Sequence, residues 1–109
     1  MVAPVNISLD AMSGDHGHTV AVGAALLALK ELPELKLVLV GDEAVLAREL
    51  ETHKHVPQDR ITLQHASEVV EMDESPSKAM RNKKDSSMRV AINLVKDGQV
   101  QAAVSAGNT

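Results

Sequence analysis

Asp10 closes the alternating stretch VNISLD and is followed within seven residues by Gly14, Asp15 and Gly17. Far along the chain, VQAAVSA runs into Gly107, Asn108 and Thr109. Glycines after a strand let the backbone approach a ligand closely, and the N–H groups opening the next helix favour an anion. The chemistry this suggests is an anion or phosphate crevice. Asp10 and Asp15 stand out, because a carboxylate at a strand end inside a glycine turn is costly unless it binds, orients or caps something. Capping the helix that begins near His18 is the competing reading, with equal claim on these two residues. Neither SGDHG nor VLVGDE has the glycine spacing that cradles a dinucleotide pyrophosphate, so nothing in them points to a nucleotide cofactor.

The five histidines invite a metal reading, with His16 and His18 at a two-residue spacing and His53 and His55 likewise. No third ligand is evident beside either pair, so neither a metal nor a cofactor is expected. His53, Lys54 and His55 suit an exposed helix end, where cations complement the dipole, and His65 reads as a strand residue. Cysteine is absent, which removes any disulfide framework, thiolate nucleophile or sulfur ligand from the 109 residues.

The elements that must position these residues follow from periodicity. Val5, Ile7 and Leu9 alternate with Asn6, Ser8 and Asp10, the pattern of a half-buried strand over about 4–10. TVAVGAALLALKEL is apolar on nearly every side until Pro33, a helix that must be covered on more than one face. LKLVLVG reads as an inner parallel strand ending at Gly41, after which Asp42 can cap a helix to about His53, with Val45, Leu46 and Leu50 as its stripe. RITLQHA is a third strand and SEVVEMDE is irregular. Ser75-Pro76 signals a short helix to about Lys83. Ser86 or Ser87 starts a better one, whose Met88, Ala91, Ile92 and Val95 fall at i, i+3, i+4 and i+7, with Gly98 beyond its end. VQAAVSA is then a buried small-residue strand.

Strands alternating with helices predict an α/β layer with a mostly parallel sheet. Right-handed crossovers align the carboxyl ends of such strands along one edge. That edge should collect Asp10 to Gly17, Gly41 with Asp42, and Ser105 to Thr109, however distant in sequence.

Composition narrows the function classes. The net charge of -4 argues against general nucleic-acid binding, yet five cations (Lys78, Arg81, Lys83, Lys84 and Arg89) crowd one short segment against Asp85 alone. A solvated face explains such a run, and so does a landing strip for something anionic. Phe, Tyr and Trp are all absent, which removes the side chains that bury most area. The N-terminus is not a signal peptide, and no run approaches the roughly 18 apolar residues of a membrane span, so a cytoplasmic location is expected.

Three stretches taken together, LDAMSGD, KKDSSMRVAINLVKDG and VSAGNT, resemble the bacterial phosphate acyltransferases of fatty acid and phospholipid synthesis. Departures lie at Ser13, where that family usually has Gly, at His16, usually aromatic, and at His18, often Pro. Asp10, Gly14, Asp15 and Gly17 keep the family's pattern. The resemblance implies a three-layer α/β/α fold related to isocitrate and isopropylmalate dehydrogenases and to phosphotransacetylase. It also implies that residues 1–109 are the N-terminal part of a single larger acyltransferase domain.

The implied reaction moves a fatty acyl group from acyl carrier protein to inorganic phosphate, giving an acyl phosphate for phospholipid synthesis. Thiolate is a good leaving group, so fixed donors for the phosphate and the developing oxyanion matter more than a covalent nucleophile. On this reading Ser105 and Asn108 act catalytically beside Asp10 and Asp15, while Gly14, Gly17, Gly107 and Thr109 hold phosphate. Lys78, Arg81, Lys83 and Lys84 would dock the acidic carrier protein. A homodimer and peripheral contact with the membrane surface are further implications. Two alternatives stand beside it: a phosphotransacetylase-like enzyme using coenzyme A thioesters, and a non-catalytic binding or oligomerisation module.

Overall fold

The structure is a computed structural model that describes residues 5–12, 17–68 and 85–105. Strand β1 (Val5–Asp10) leads to helix α1 (Gly17–Glu31), strand β2 (Leu35–Gly41) and helix α2 (Glu43–Glu51). Strand β3 (Ile61–His65), helix α3 (Ser87–Lys96) and strand β4 (Ala102–Ser105) follow. The strands form one sheet in the order β3-β2-β1-β4, and every pairing is parallel. The short helix expected over 75–83 lies outside the described residues.

Helices cover both faces of the sheet, which makes three layers. Val22, Ala25 and Leu29 of α1 and Leu46 and Leu50 of α2 pack on Leu35, Leu37, Leu39 and Ile61. On the other face Ala91 and Leu94 of α3, with Val100, pack on Val40 and Ala66. The alternation inside LKLVLVG therefore feeds two cores at once, as an inner parallel strand requires. Each fully buried leucine, such as Leu39 or Leu46, contributes about 1.5–3 kcal/mol relative to exposure.

Caps fix the helix limits. The Asp42 side chain accepts from the Ala44 and Val45 amides at 3.1 and 3.2 Å, opening α2, which ends at Glu51, two residues short of the expected His53. Ser86, not Ser87, is the N-cap of α3, its Oγ accepting from the Arg89 amide at 3.1 Å. Gly98 takes the left-handed conformation (φ +79°) just past that helix, where a side chain would be strained. At the C-terminal end of α1 the Arg60 guanidinium gathers four carbonyls: Leu32 and Pro33 at 3.1 Å, Leu35 at 3.3 Å and Leu29 at 2.9 Å.

Two expectations are corrected. The alternation in β1 suggested one buried apolar face, but Ser8 and Asp10 are its fully buried residues while Ile7 and Leu9 are half-buried. The strand is central, and α3 covers the face that carries the polar side chains. Conversely, the strand expected to be buried at VQAAVSA is shorter, and all four residues of β4 are exposed, because it forms the edge of the described sheet. The all-round apolar character of α1 is matched by a bare outer side, with Val20 55% and Leu27 61% exposed.

Candidate active site

The carboxyl edge of the sheet brings together residues separated by almost the whole chain. Asp10, the last residue of β1, is level with Ser105, the last residue of β4, across a parallel pairing. Ser105 Oγ donates to Asp10 Oδ2 at 2.9 Å. The other carboxylate oxygen, Oδ1, accepts from the Met12 amide at 3.2 Å, closing an Asx turn of the kind aspartate forms with the backbone two residues on. Asp10 itself is 1% exposed, so a buried carboxylate joins two strand ends and the loop after β1.

The surrounding residues reach the edge by their own elements. Ala11 N–H donates to Val40 O at 2.9 Å, which carries β1's pairing with β2 one step past the strand. Met12 then lies over Gly41: a Cβ on that glycine would meet Met12 Cγ and, at 2.8 Å, its Sδ. Glycine lets the Met12 side chain sit against the end of β2, and a larger residue would have to displace it. Gly17 opens α1 with φ +61°, and a Cβ there would meet nothing within 4 Å, so its requirement is conformational.

The start of α3 belongs to the same edge, since a helix between two parallel strands runs back against them. Glu68 pairs with Ser86 across an isolated bridge, its N–H donating to Asp85 O at 3.1 Å and its carbonyl accepting from the Ser87 amide at 2.8 Å. Ser67 donates to Asp85 Oδ2 from Oγ at 2.5 Å and from its amide at 2.9 Å. These two bonds hold the Asp85 carboxyl below the usual carboxylate range, side-chain bond first, against a small desolvation effect and with help from His65. Deeper in, Ser8 Oγ donates to Ala91 O at 2.8 Å, which seats α3 on β1 one strand pleat below Asp10.

Of the residues expected to act, the structure unites Asp10 and Ser105 and places Gly17 at the start of α1. Gly14, Asp15, Gly107, Asn108, Thr109 and the cations Lys78, Arg81, Lys83 and Lys84 lie outside the described residues. His65 has a role that its position in a strand did not announce: its Nδ1 accepts from the Glu43 amide at 3.2 Å, adding to the Asp42 cap of α2. One histidine from each pair converges on Glu49, His18 Nε2 at 3.8 Å and His53 Nε2 at 3.4 Å. Among the described residues no three such side chains are placed to hold a metal ion, and no helix is long and apolar enough to cross a membrane.

A groove of about 560 Å³ lined by Leu27, Lys30, Lys54, His55 and Arg60 opens at the opposite edge of the sheet. Its arginine is engaged with the four carbonyls at the end of α1. At the carboxyl edge, by contrast, a buried carboxylate is bonded to a hydroxyl across two strands.

An all-parallel sheet layered between helices, with polar groups converging where its strands end, defines a layered α/β protein, a class whose ligands bind along that rim. The chain belongs to the fatty acid synthesis protein family, whose sequence profile matches residues 5–109. It is similar to the phosphate acyltransferase of Methylococcus capsulatus, 62% identical over 103 residues that make up 94% of this chain and 30% of that protein. The phosphate acyltransferase of Legionella pneumophila (strain Paris) is 54% identical over 105 residues, 96% of this chain and 31% of its own. That of Halorhodospira halophila is 51% identical over 109 residues, 100% of this chain and 32% of its own. The chain thus spans about a third of the length of the curated relatives it matches.

Proposed function

We propose that this chain is the N-terminal part of a single larger α/β domain that transfers an acyl group from acyl carrier protein to inorganic phosphate. The observation that carries the reading is the Asp10–Ser105 pair at adjoining strand ends, in a chain whose relatives are named phosphate acyltransferases. In the reaction a phosphate oxygen forms a bond to the thioester carbonyl carbon, and the carbon–sulfur bond breaks with departure of the thiolate. Two electron-rich oxygens meet, so the protein's task is to fix the phosphate and stabilise the oxyanion.

A hydroxyl carries one proton, and that of Ser105 is directed at Asp10. Ser105 donates to an anion only when that proton swings away from Asp10. Asp10 therefore acts as the group that orients Ser105 and the Met12 turn, while Asn108, Thr109 and the Gly107 amide supply further donors and Asp15, Gly14 and Gly17 shape the facing loop. Lys78, Arg81, Lys83 and Lys84 form the docking strip for the acidic carrier protein. The full-length protein works as a cytoplasmic homodimer that touches the membrane surface peripherally, where its product is used for phospholipid synthesis.

The test is thiol release by the full-length protein from acyl carrier protein thioesters, with and without inorganic phosphate, alongside the same acyl groups on coenzyme A. Phosphate-dependent release, faster with the carrier protein, is expected. Faster turnover of coenzyme A thioesters would make the protein phosphotransacetylase-like. No phosphate-dependent release from either would leave a non-catalytic module.

A further inference from the structure

Ser87 is fully buried, and its Oγ has no hydrogen-bond partner among the described residues. It is not the cap of α3, because Ser86 performs that task. A buried hydroxyl without a partner destabilises a fold, and buried polar groups are otherwise almost always satisfied, so a native protein that keeps one needs a reason.

The position supplies the reason. Ser8 Oγ bonds the carbonyl of Ala91, which fixes where α3 crosses β1. Asp10 lies two residues beyond Ser8 on the same face of the strand, roughly 6.6 Å further along. Ser87 lies four residues before Ala91 on the same face of the helix, roughly 6 Å back along its axis. Strand and helix run in opposite directions, so both steps go towards the carboxyl edge, and Ser87 arrives level with Asp10 and with Ser105 beside it. A hydroxyl proton with no acceptor, at the positive end of a ten-residue helix, there flanks the pair whose own proton is engaged.

We infer that Ser87 is a phosphate-binding residue: its Oγ–H donates to an oxygen of inorganic phosphate seated at the N-terminal end of α3, beside Asp10 and Ser105. The inference rests on the acyl-transfer reading and deepens it by assigning the donor that the Ser105–Asp10 bond leaves wanting. No covalent step at Ser87 is involved. The hydroxyl is satisfied when phosphate is present and orphaned when it is not, so binding and local stability are coupled.

The test uses the full-length protein, inorganic phosphate as the probe, and calorimetry. Ser87→Ala is expected to weaken phosphate binding about tenfold and to raise the KM for phosphate without moving that for the acyl donor. The melting temperature in phosphate-free buffer should hold or rise, since an unsatisfied group is removed. Ser87→Thr, which keeps the hydroxyl, should restore most of the affinity. Unchanged phosphate affinity in Ser87→Ala would overturn the inference, as would a lowered melting temperature, which marks a merely structural hydroxyl. A fall in kcat with phosphate binding intact would also overturn it, by moving the donor to the carbonyl oxyanion. If the unaltered protein binds no phosphate, the acyl-transfer reading fails with it, whereas equal binding by both proteins removes this inference alone.

Discussion

Asp10→Asn separates the work of a charge from the work of a shape. The carboxylate accepts from the Met12 amide at 3.2 Å and from Ser105 Oγ at 2.9 Å. Asparagine is isosteric and can keep both contacts, its oxygen facing Met12 N–H and its NH2 facing Ser105, but the serine must then turn from donor to acceptor. Bonds to an ionised acceptor contribute about 1.5–3 kcal/mol and neutral ones about 0.5–1.5 kcal/mol, so the two contacts together lose about 2–3 kcal/mol. Against that, a side chain only 1% exposed no longer carries a charge out of water, a saving of several kcal/mol before compensation. These opposed quantities are of similar size, and the net stability change should stay within about 1 kcal/mol.

Turnover has no such offset. If the orientation of Ser105 and of the Met12 turn is used in the transition state, the lost 2–3 kcal/mol appears as about a 10²-fold fall in phosphate-dependent thiol release. The assay is that release by the full-length protein, paired with urea denaturation of the same preparation. Wild-type turnover in Asp10→Asn would refute the orienting role. Loss of more than about 3 kcal/mol of stability would show instead that the buried charge holds the sheet edge together.

Two further outcomes follow from groups away from that pair. Arg60→Lys keeps the charge but not the planar fork that reaches Leu29, Leu32, Pro33 and Leu35; the carbonyls of Leu29 and Leu35 are the part-buried ones, so denaturant titration should show a loss of about 2–3 kcal/mol with the KM for phosphate unchanged. Asp85 titrates lower when folded because Ser67 bonds it, so its contribution is complete above the unfolded carboxylate pKa and fades as pH falls through the folded value. Asp85→Asn should therefore trail the unaltered protein at about pH 7, by no more than about 1 kcal/mol for so exposed a pair, and the gap should close progressively as acidification protonates the folded carboxylate. A gap that persists in acid would assign the effect to something other than that carboxylate.

Much of the architecture was legible because local patterns and the final packing agree. LKLVLVG lies in the middle of the sheet and Asp42 caps α2, but of the stripe expected on α3 only Ala91 is fully buried: Ile92 is exposed and Leu94, outside that stripe, faces the core instead. The meeting of Asp10 with Ser105 was also within reach, since parallel crossovers put strand ends on one rim. What escaped depends on register between distant segments. Nothing in VNISLD says that α3 will cover the face bearing Ser8 and Asp10, which inverts the usual reading of alternation. Arg60 finds carbonyls 25–31 positions away, and His65 caps a helix 22 residues earlier. Adjacent Ser86 and Ser87 look alike in the sequence, and only the packing makes one a cap and the other an orphan.

The edge strand β4 has a practical consequence. Its residues, Ala102 to Ser105, are small, uncharged and exposed, and among the described residues they pair with β1 on one side only. The strand itself contains no lysine or proline, and such an edge is a template for intermolecular strand pairing. Recombinant material consisting of these 109 residues alone should therefore be prone to self-association through that edge, and a lysine at Val104, itself half exposed, is the simplest gatekeeper to introduce.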